Sequence, residues 1–248
     1  RAATMTAGVI GLIIVCIFFL SNDLPADGGL KDQKLNTIPN GNLSSKWGGA
    51  ETFFSATIMS CFFFFTFLAA ALIGIQTFGV SALQSLYELD LTTATTALTA
   101  FLIGSALGIL VGGIIADKIS RHETAAILGV ALASVILIII GSKLISPYFV
   151  ILALALAGFF SGTTAPSRDM LIRKATPNGA SGRIFGFVYS GLDLGSSAMP
   201  LLAGALLDSR KPHMIFYVCA LMFIIAILTI RKLRGNFIFF KDINVSKN

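Results

Sequence analysis

Gly112-Gly113-Ile114-Ile115-Ala116-Asp117-Lys118-Ile119-Ser120-Arg121-His122-Glu123 sets five ionisable side chains within seven positions, after a run that carries no charge beyond Asp90. On its far side, residues 124–142 are again uncharged. Two apolar runs joined by a compact charged loop describe a helical hairpin in a membrane. About 20 residues of helix cross the hydrocarbon core, and lipid offers an exposed backbone no hydrogen-bond partners. The charged residues then mark where the chain leaves the bilayer.

The rest of the chain repeats this pattern. Of its 248 residues, 55% are hydrophobic and 12% charged, against about 25% charged in a soluble domain. Uncharged runs fall at 2–20, 53–87, 93–116, 124–142, 148–167, 184–207 (interrupted once, by Asp193) and 214–230. Runs this continuous exclude the alternating pattern of barrel strands. The expected fold is an all-α, polytopic membrane protein with seven transmembrane helices. Arg1 leads directly into an apolar run without a cleavage-site pattern, so that run does not read as a signal peptide and the chain reads as a piece of something longer. Cys16, Cys61 and Cys219 all lie within spans and have no metal-ligand spacing.

If the chain begins outside, 14 Lys and Arg fall in cytoplasmic segments and four in outer ones, as the positive-inside rule requires. The net charge of +6 therefore belongs to loops that meet an anionic leaflet rather than to a nucleic-acid surface. Residues 21–52, with Pro25, Pro39 and charges of both signs, read as a flexible cytoplasmic linker. The Asn42-Leu43-Ser44 sequon falls on that cytoplasmic side and carries no weight.

Residues 53–87 are too long for one perpendicular span, and Gly74 and Gly79 suggest a break. Thr66, Thr77, Ser81, Gln84 and Glu88 recur at helical spacing, a polar stripe on an apolar helix. Hydroxyls in such a stripe commonly join helices. Gln84, and Gln76 two turns before it, are costly in lipid and point to a wet cavity. Gly104, Gly108 and Gly112 form a doubled small-xxx-small pattern, the mark of close helix packing.

Gly113, Asp117, Lys118 and Arg121 resemble the loop signature of the major facilitator superfamily, with Ser120 where that signature carries glycine. Gly158, Gly162, Pro166, Pro177, Arg183, Gly186, Gly191, Gly195, Pro200 and Gly204 are similar to the same family's tenth and eleventh helices. The resemblance implies that residues 1–20 are transmembrane helix six, 21–52 the central cytoplasmic linker, 53–235 the C-terminal six-helix bundle and 236–248 a cytoplasmic tail. It implies a secondary transporter that alternates access between two bundles. The partners so implied are a small-molecule substrate, protons, the lipid bilayer and the missing N-terminal six-helix half. A drug or metabolite efflux antiporter of the bacterial inner (plasma) membrane is the branch it suggests.

Asp193 lies about 14 Å of helix from the cytoplasmic end of its span, near the bilayer midplane. An unpaired charge there costs at least ~2.5–3.5 kcal/mol, so Asp193 is expected to look into the bundle or a cavity together with Ser197 and Gly186. It reads as a coupling or substrate-binding carboxylate, or else as a structural acid bonded to a neighbouring hydroxyl or amide. Arg168 and Asp169 read as an interfacial pair, or with Arg183 as a cytoplasmic gate. Asp117 ends its own helix, where the dipole disfavours an acid, so a partner cation or another helix's N-terminus is expected.

Neither histidine lies at depth beside a carboxylate, Gly158-Phe-Phe-Ser161-Gly162 is one residue too long for an intramembrane serine site, and no phosphate loop or metal cluster appears. These facts argue against an enzyme and for coupling to an ion gradient without a cofactor. A scaffold or receptor on the same fold is the other alternative.

Overall fold

A computed structural model of the chain describes residues 56–118, 122–175 and 181–245. The described residues form helices joined by short turns: α1 (Ala56–Tyr87), α2 (Leu91–Lys118), α3 (His122–Gly141), a one-turn 3-10 helix (Pro147–Phe149), α4 (Val150–Gly162), α5 (Thr164–Ala175), α6 (Ser181–Asp208) and α7 (Pro212–Val245). Five segments are long and apolar enough to cross a membrane: Ala56–Tyr87, Leu91–Lys118, His122–Gly141, Pro147–Arg173 and Pro212–Arg231. The protein is an integral membrane protein. With 28 residues, α6 is as long as α2, but Ser190, Asp193, Ser196 and Ser197 lower its hydropathy. The expected span 2–20 and the linker lie outside the described residues, so the count of seven rests on the sequence alone.

Two expectations are corrected. Gly74 does not break α1, which runs unbroken for 32 residues. A Cβ at Gly74 would lie 2.6 Å from Met199 Cε of α6 and 2.7 Å from Cys219 Sγ of α7, so this glycine admits neighbouring side chains instead. Conversely, the run through 148–167 is interrupted at Thr163, between α4 and α5. Pro166 explains the interruption: it has no N–H to give the Gly162 carbonyl, and its ring crowds the preceding turn.

The start of α2 and the ends of α3 and α6 are closed by specific bonds. Asp90 caps α2: its Oδ2 accepts the Thr93 N–H at 3.1 Å and its carbonyl accepts the Ala94 N–H at 3.0 Å. Side-chain hydrogen bonding from Thr93 holds the Asp90 carboxyl below the usual carboxylate range. Helix α3 ends in a Schellman motif, with Leu144 N–H on the Ile139 carbonyl (3.4 Å) and Lys143 N–H on the Ile140 carbonyl (3.1 Å). Helix α6 ends alike, through Lys211 on Leu206 (3.1 Å) and Arg210 on Leu207 (2.9 Å). Glycine usually fills the left-handed position; here Lys143 and Arg210 take it, both at φ 54°. A cation beside the terminal carbonyls complements the helix dipole, which offsets part of the backbone cost.

Within lipid, helix association relies on close van der Waals packing rather than on the hydrophobic effect, and glycine supplies it here. Helix α2 lies along α4 through a reciprocal set: Gly104, Gly108 and Gly112 face the backbone of Ala155, Phe159 and Thr163, while Gly158 and Gly162 face Phe101 and Ser105. At Gly112 an added Cβ would sit 2.5 Å from the Thr163 carbonyl oxygen. Helix α1 packs against both α6 and α7, and α3 against α7 and α4. Gly191 of α6 sits where a Cβ would come 2.7 Å from the Phe62 carbonyl of α1. Phe64, Phe65, Phe101, Phe216 and Phe223 fill the centre. Hydroxyls join helix ends, with Tyr87 Oη donating to the Ile140 carbonyl at 2.7 Å and Ser142 Oγ 2.9 Å from Tyr217 Oη.

Candidate functional site

Ser60, Ser134, Ser161, Thr164 and Ser167 are buried in the core, whereas several polar side chains of α1 and α6 fall on faces that the core leaves uncovered. On α1, Gln76 and Thr77 are exposed, and Ser81 and Gln84 are half-buried. Thr66 turns back onto its own helix, donating to the Phe62 carbonyl at 2.9 Å, and so serves packing. Glu88 lies beyond the end of the helix at φ 55° and is not part of the stripe.

On α6 the buried residues Ile184, Val188, Gly191, Gly195, Met199 and Ala203 define the packed face. Asp193, Ser197 and Gly186 are exposed on the opposite side, and Gly186 has nothing near the position of a Cβ. Asp193 therefore keeps the companions that helical spacing gives it. It does not look into its own bundle, however. Among the described residues no hydrogen bond or ion pair holds it. Nothing among them joins Asp193 to Gln76, Gln84 or Ser197.

Where α1, α5 and α6 meet, the structure brings together residues far apart in sequence. Arg168 and Asp169, on α5, form an ion pair with Nε 3.1 Å from Oδ1; their side chains are 16% and 48% exposed. Tyr189 of α6 donates its hydroxyl to the same Oδ1 at 3.3 Å. The Arg168 guanidinium lies 4.7 Å from the Phe65 ring centre on α1, a cation–π contact. Phe65 and Tyr189 are 5.4 Å apart, and Tyr189 stacks on Phe185 at 6.1 Å. A knot of one ion pair and three rings thus ties α1, α5 and α6. Tyr189 and Phe65 were not legible as site residues, because a phenylalanine-rich helix gives no sign of which ring will meet an arginine. The Arg183 side chain lies outside the described residues.

The signature loop is only partly described, since Ile119, Ser120 and Arg121 lie outside the described residues. Its two glycines differ. Gly112 is buried against Thr163, whereas Gly113 has nothing within 4 Å of a Cβ position. Asp117 and Lys118 are exposed at the end of α2, and among the described residues Asp117 has no ion-pair or hydrogen-bond partner. The cation or helix N-terminus expected for it is thus not supplied by the described part of this bundle.

Comparison with known proteins places these features in a family. The Major Facilitator Superfamily model matches residues 53–236. The fosmidomycin resistance protein of Escherichia coli is 29% identical over 150 residues, 60% of this chain and 36% of the relative. A puromycin resistance protein of Streptomyces alboniger is 34% identical over 146 residues, 57% of this chain and 28% of the relative. Alignment with this chain thus spans 36% and 28% of the lengths of these two curated relatives.

Proposed function

The chain belongs to the major facilitator superfamily, and from that premise we propose that it is the C-terminal part of a secondary transporter that moves a small solute by alternating access. The observation that carries this reading is the uncovered polar face of an otherwise apolar unit: Gln76, Thr77 and Gln84 on α1, Asp193 and Ser197 on α6. Turned to lipid, Asp193 alone would cost ~2.5–3.5 kcal/mol. Turned to a second bundle or a water-filled cavity, the same face is a binding and coupling surface. The N-terminal half supplies the opposite wall.

In this account Asp193 exchanges a proton as the cavity opens to one side and then the other, and Gln76, Gln84 and Ser197 offer hydrogen bonds to the solute. Closure at the cytoplasmic side uses two devices. One is the loop of Gly113, Asp117, Lys118 and Arg121, in which Gly113 gives a neighbouring helix room to approach and Asp117 receives its cation. The other is the Arg168–Asp169–Tyr189 knot, which exchanges partners as the halves rock, with Arg183 beside it. The two relatives are named for resistance to antibiotics, which favours export of a toxic solute across a bacterial plasma membrane. Family membership and these relatives favour a transporter over an enzyme.

Proteoliposomes of the intact protein under an imposed pH gradient test the proposal. Adding fosmidomycin or puromycin as probes is expected to drive a proton flux that the 248 residues alone do not support. Solute binding without flux by the intact protein would return the reading to a receptor.

A further inference from the structure

The side of the unit away from the cytoplasm holds a cavity of ≈ 240 Å³ lined by Leu86, Tyr87, Glu88, Lys143, Ile145 and Pro147. It lies between the end of α1 and the turn after α3, which the Tyr87–Ile140 hydrogen bond pins together. Its two charged residues follow closely on their helices, Glu88 one residue past α1 and Lys143 two past α3, and both sit in the left-handed region, Glu88 at φ 55° and Lys143 at φ 54°. Their positions are thus fixed by the helix ends rather than chosen by long, free loops. One is an anion and the other a cation, yet among the described residues they form no ion pair with each other.

The same turn carries large apolar side chains in the open: Leu144 is 76% exposed, Tyr148 90% and Phe149 61%. Tyrosine, phenylalanine and leucine beside a lysine at the end of a span match the composition of the membrane interface, where rings sit at the level of the lipid headgroups. A dipolar pocket at that level calls for a dipolar ligand. An anionic headgroup would satisfy Lys143 and leave Glu88 opposed. A choline headgroup carries a positive charge but has no N–H to donate to the carboxylate. A headgroup with a phosphate and a primary ammonium satisfies both.

We propose that this cavity binds the headgroup of a phosphatidylethanolamine-type lipid, with Lys143 on the phosphate, Glu88 accepting from the ammonium, and Leu144, Tyr148 and Phe149 against the upper acyl chain. The proposal concerns the ends of α1 and α3 and does not depend on transport.

Native mass spectrometry of the delipidated intact protein provides the test, with phosphatidylethanolamine, phosphatidylcholine and phosphatidylglycerol of identical chains, and with soluble phosphoethanolamine. The ethanolamine lipid is expected to bind about tenfold more tightly than the choline lipid, as one charge-assisted hydrogen bond allows. Glu88→Gln should erase that preference, and Lys143→Gln should weaken both lipids about tenfold. If Glu88→Gln lowers the melting midpoint, Glu88→Gly replaces it, because glycine suits φ 55°. Equal binding of the three lipids, variants that bind like the unmodified protein, or soluble phosphoethanolamine binding as well as the lipid would each overturn the proposal.

Discussion

Asp193→Asn in the intact protein should reduce solute-driven proton flux to the level of empty vesicles while leaving the unfolding free energy within about 1 kcal/mol of the unmodified protein. The pairing of these two results follows from where the side chain lies. Asp193 is exposed, opposite the packed face of α6, and among the described residues nothing bonds it. Asparagine keeps the shape and loses the ionisable proton. If the carboxylate faced lipid, removing its charge would stabilise the protein by ~2.5–3.5 kcal/mol, and flux would have no reason to fall. If it were a structural acid bonded in the missing half, asparagine would lower stability and flux together. Unchanged stability with lost flux is the outcome that belongs to a coupling carboxylate in a wet cavity, and detergent melting beside the flux assay separates the three cases.

Gly108→Ala should destabilise the helical unit by about 1–3 kcal/mol, and Gly108→Leu should prevent it from folding. A Cβ at Gly108 would clash with the Phe159 carbonyl, which is backbone and cannot rotate away. The α2–α4 pair must then separate, and the four other glycines of the same contact lose their close approach with it. Gly113→Ala is the control on the same helix. Nothing lies within 4 Å of its Cβ position, so alanine there should be neutral or stabilise the unit by up to ~1 kcal/mol through helix propensity. Its cost should appear instead in transport, where the opposite half is expected to approach. Thermal unfolding of the two variants in detergent reads the contrast. Equal destabilisation by both would mean that the α2–α4 interface is not the contact described.

The five described spans and the α2–α4 contact could be read from the sequence because both depend on local composition. Uncharged runs gave the helices, and glycines four residues apart gave the α2 face that meets α4. Where the reading failed, the cause was tertiary. Gly74 looked like a break until Met199 and Cys219 filled the space it leaves. Pro166 was hidden inside an apolar run, and its effect appears three residues earlier, at Thr163. Lys143 and Arg210 occupy left-handed cap positions that propensity would assign to glycine. At the candidate site, helical spacing put Asp193 with Ser197 and Gly186, but a period of 3.6 cannot say which face of a helix the bundle covers. The Tyr189–Asp169 bond and the Arg168–Phe65 contact join residues 20 and over 100 positions apart, beyond the reach of any spacing argument.

In an alternating-access transporter the uncovered face of α6 lines water rather than lipid. Ser197→Cys in the intact protein, with Cys16 replaced by alanine, adds a reporter thiol to this face while Cys61 and Cys219 stay buried, and the same protein with Ser197 retained gives the background labelling. Labelling with a membrane-impermeant maleimide in proteoliposomes is expected to modify it, with the reactive side changing when substrate is added. A thiol that stays unreactive to the hydrophilic reagent from both sides, yet reacts with a lipid-soluble one, would contradict the account.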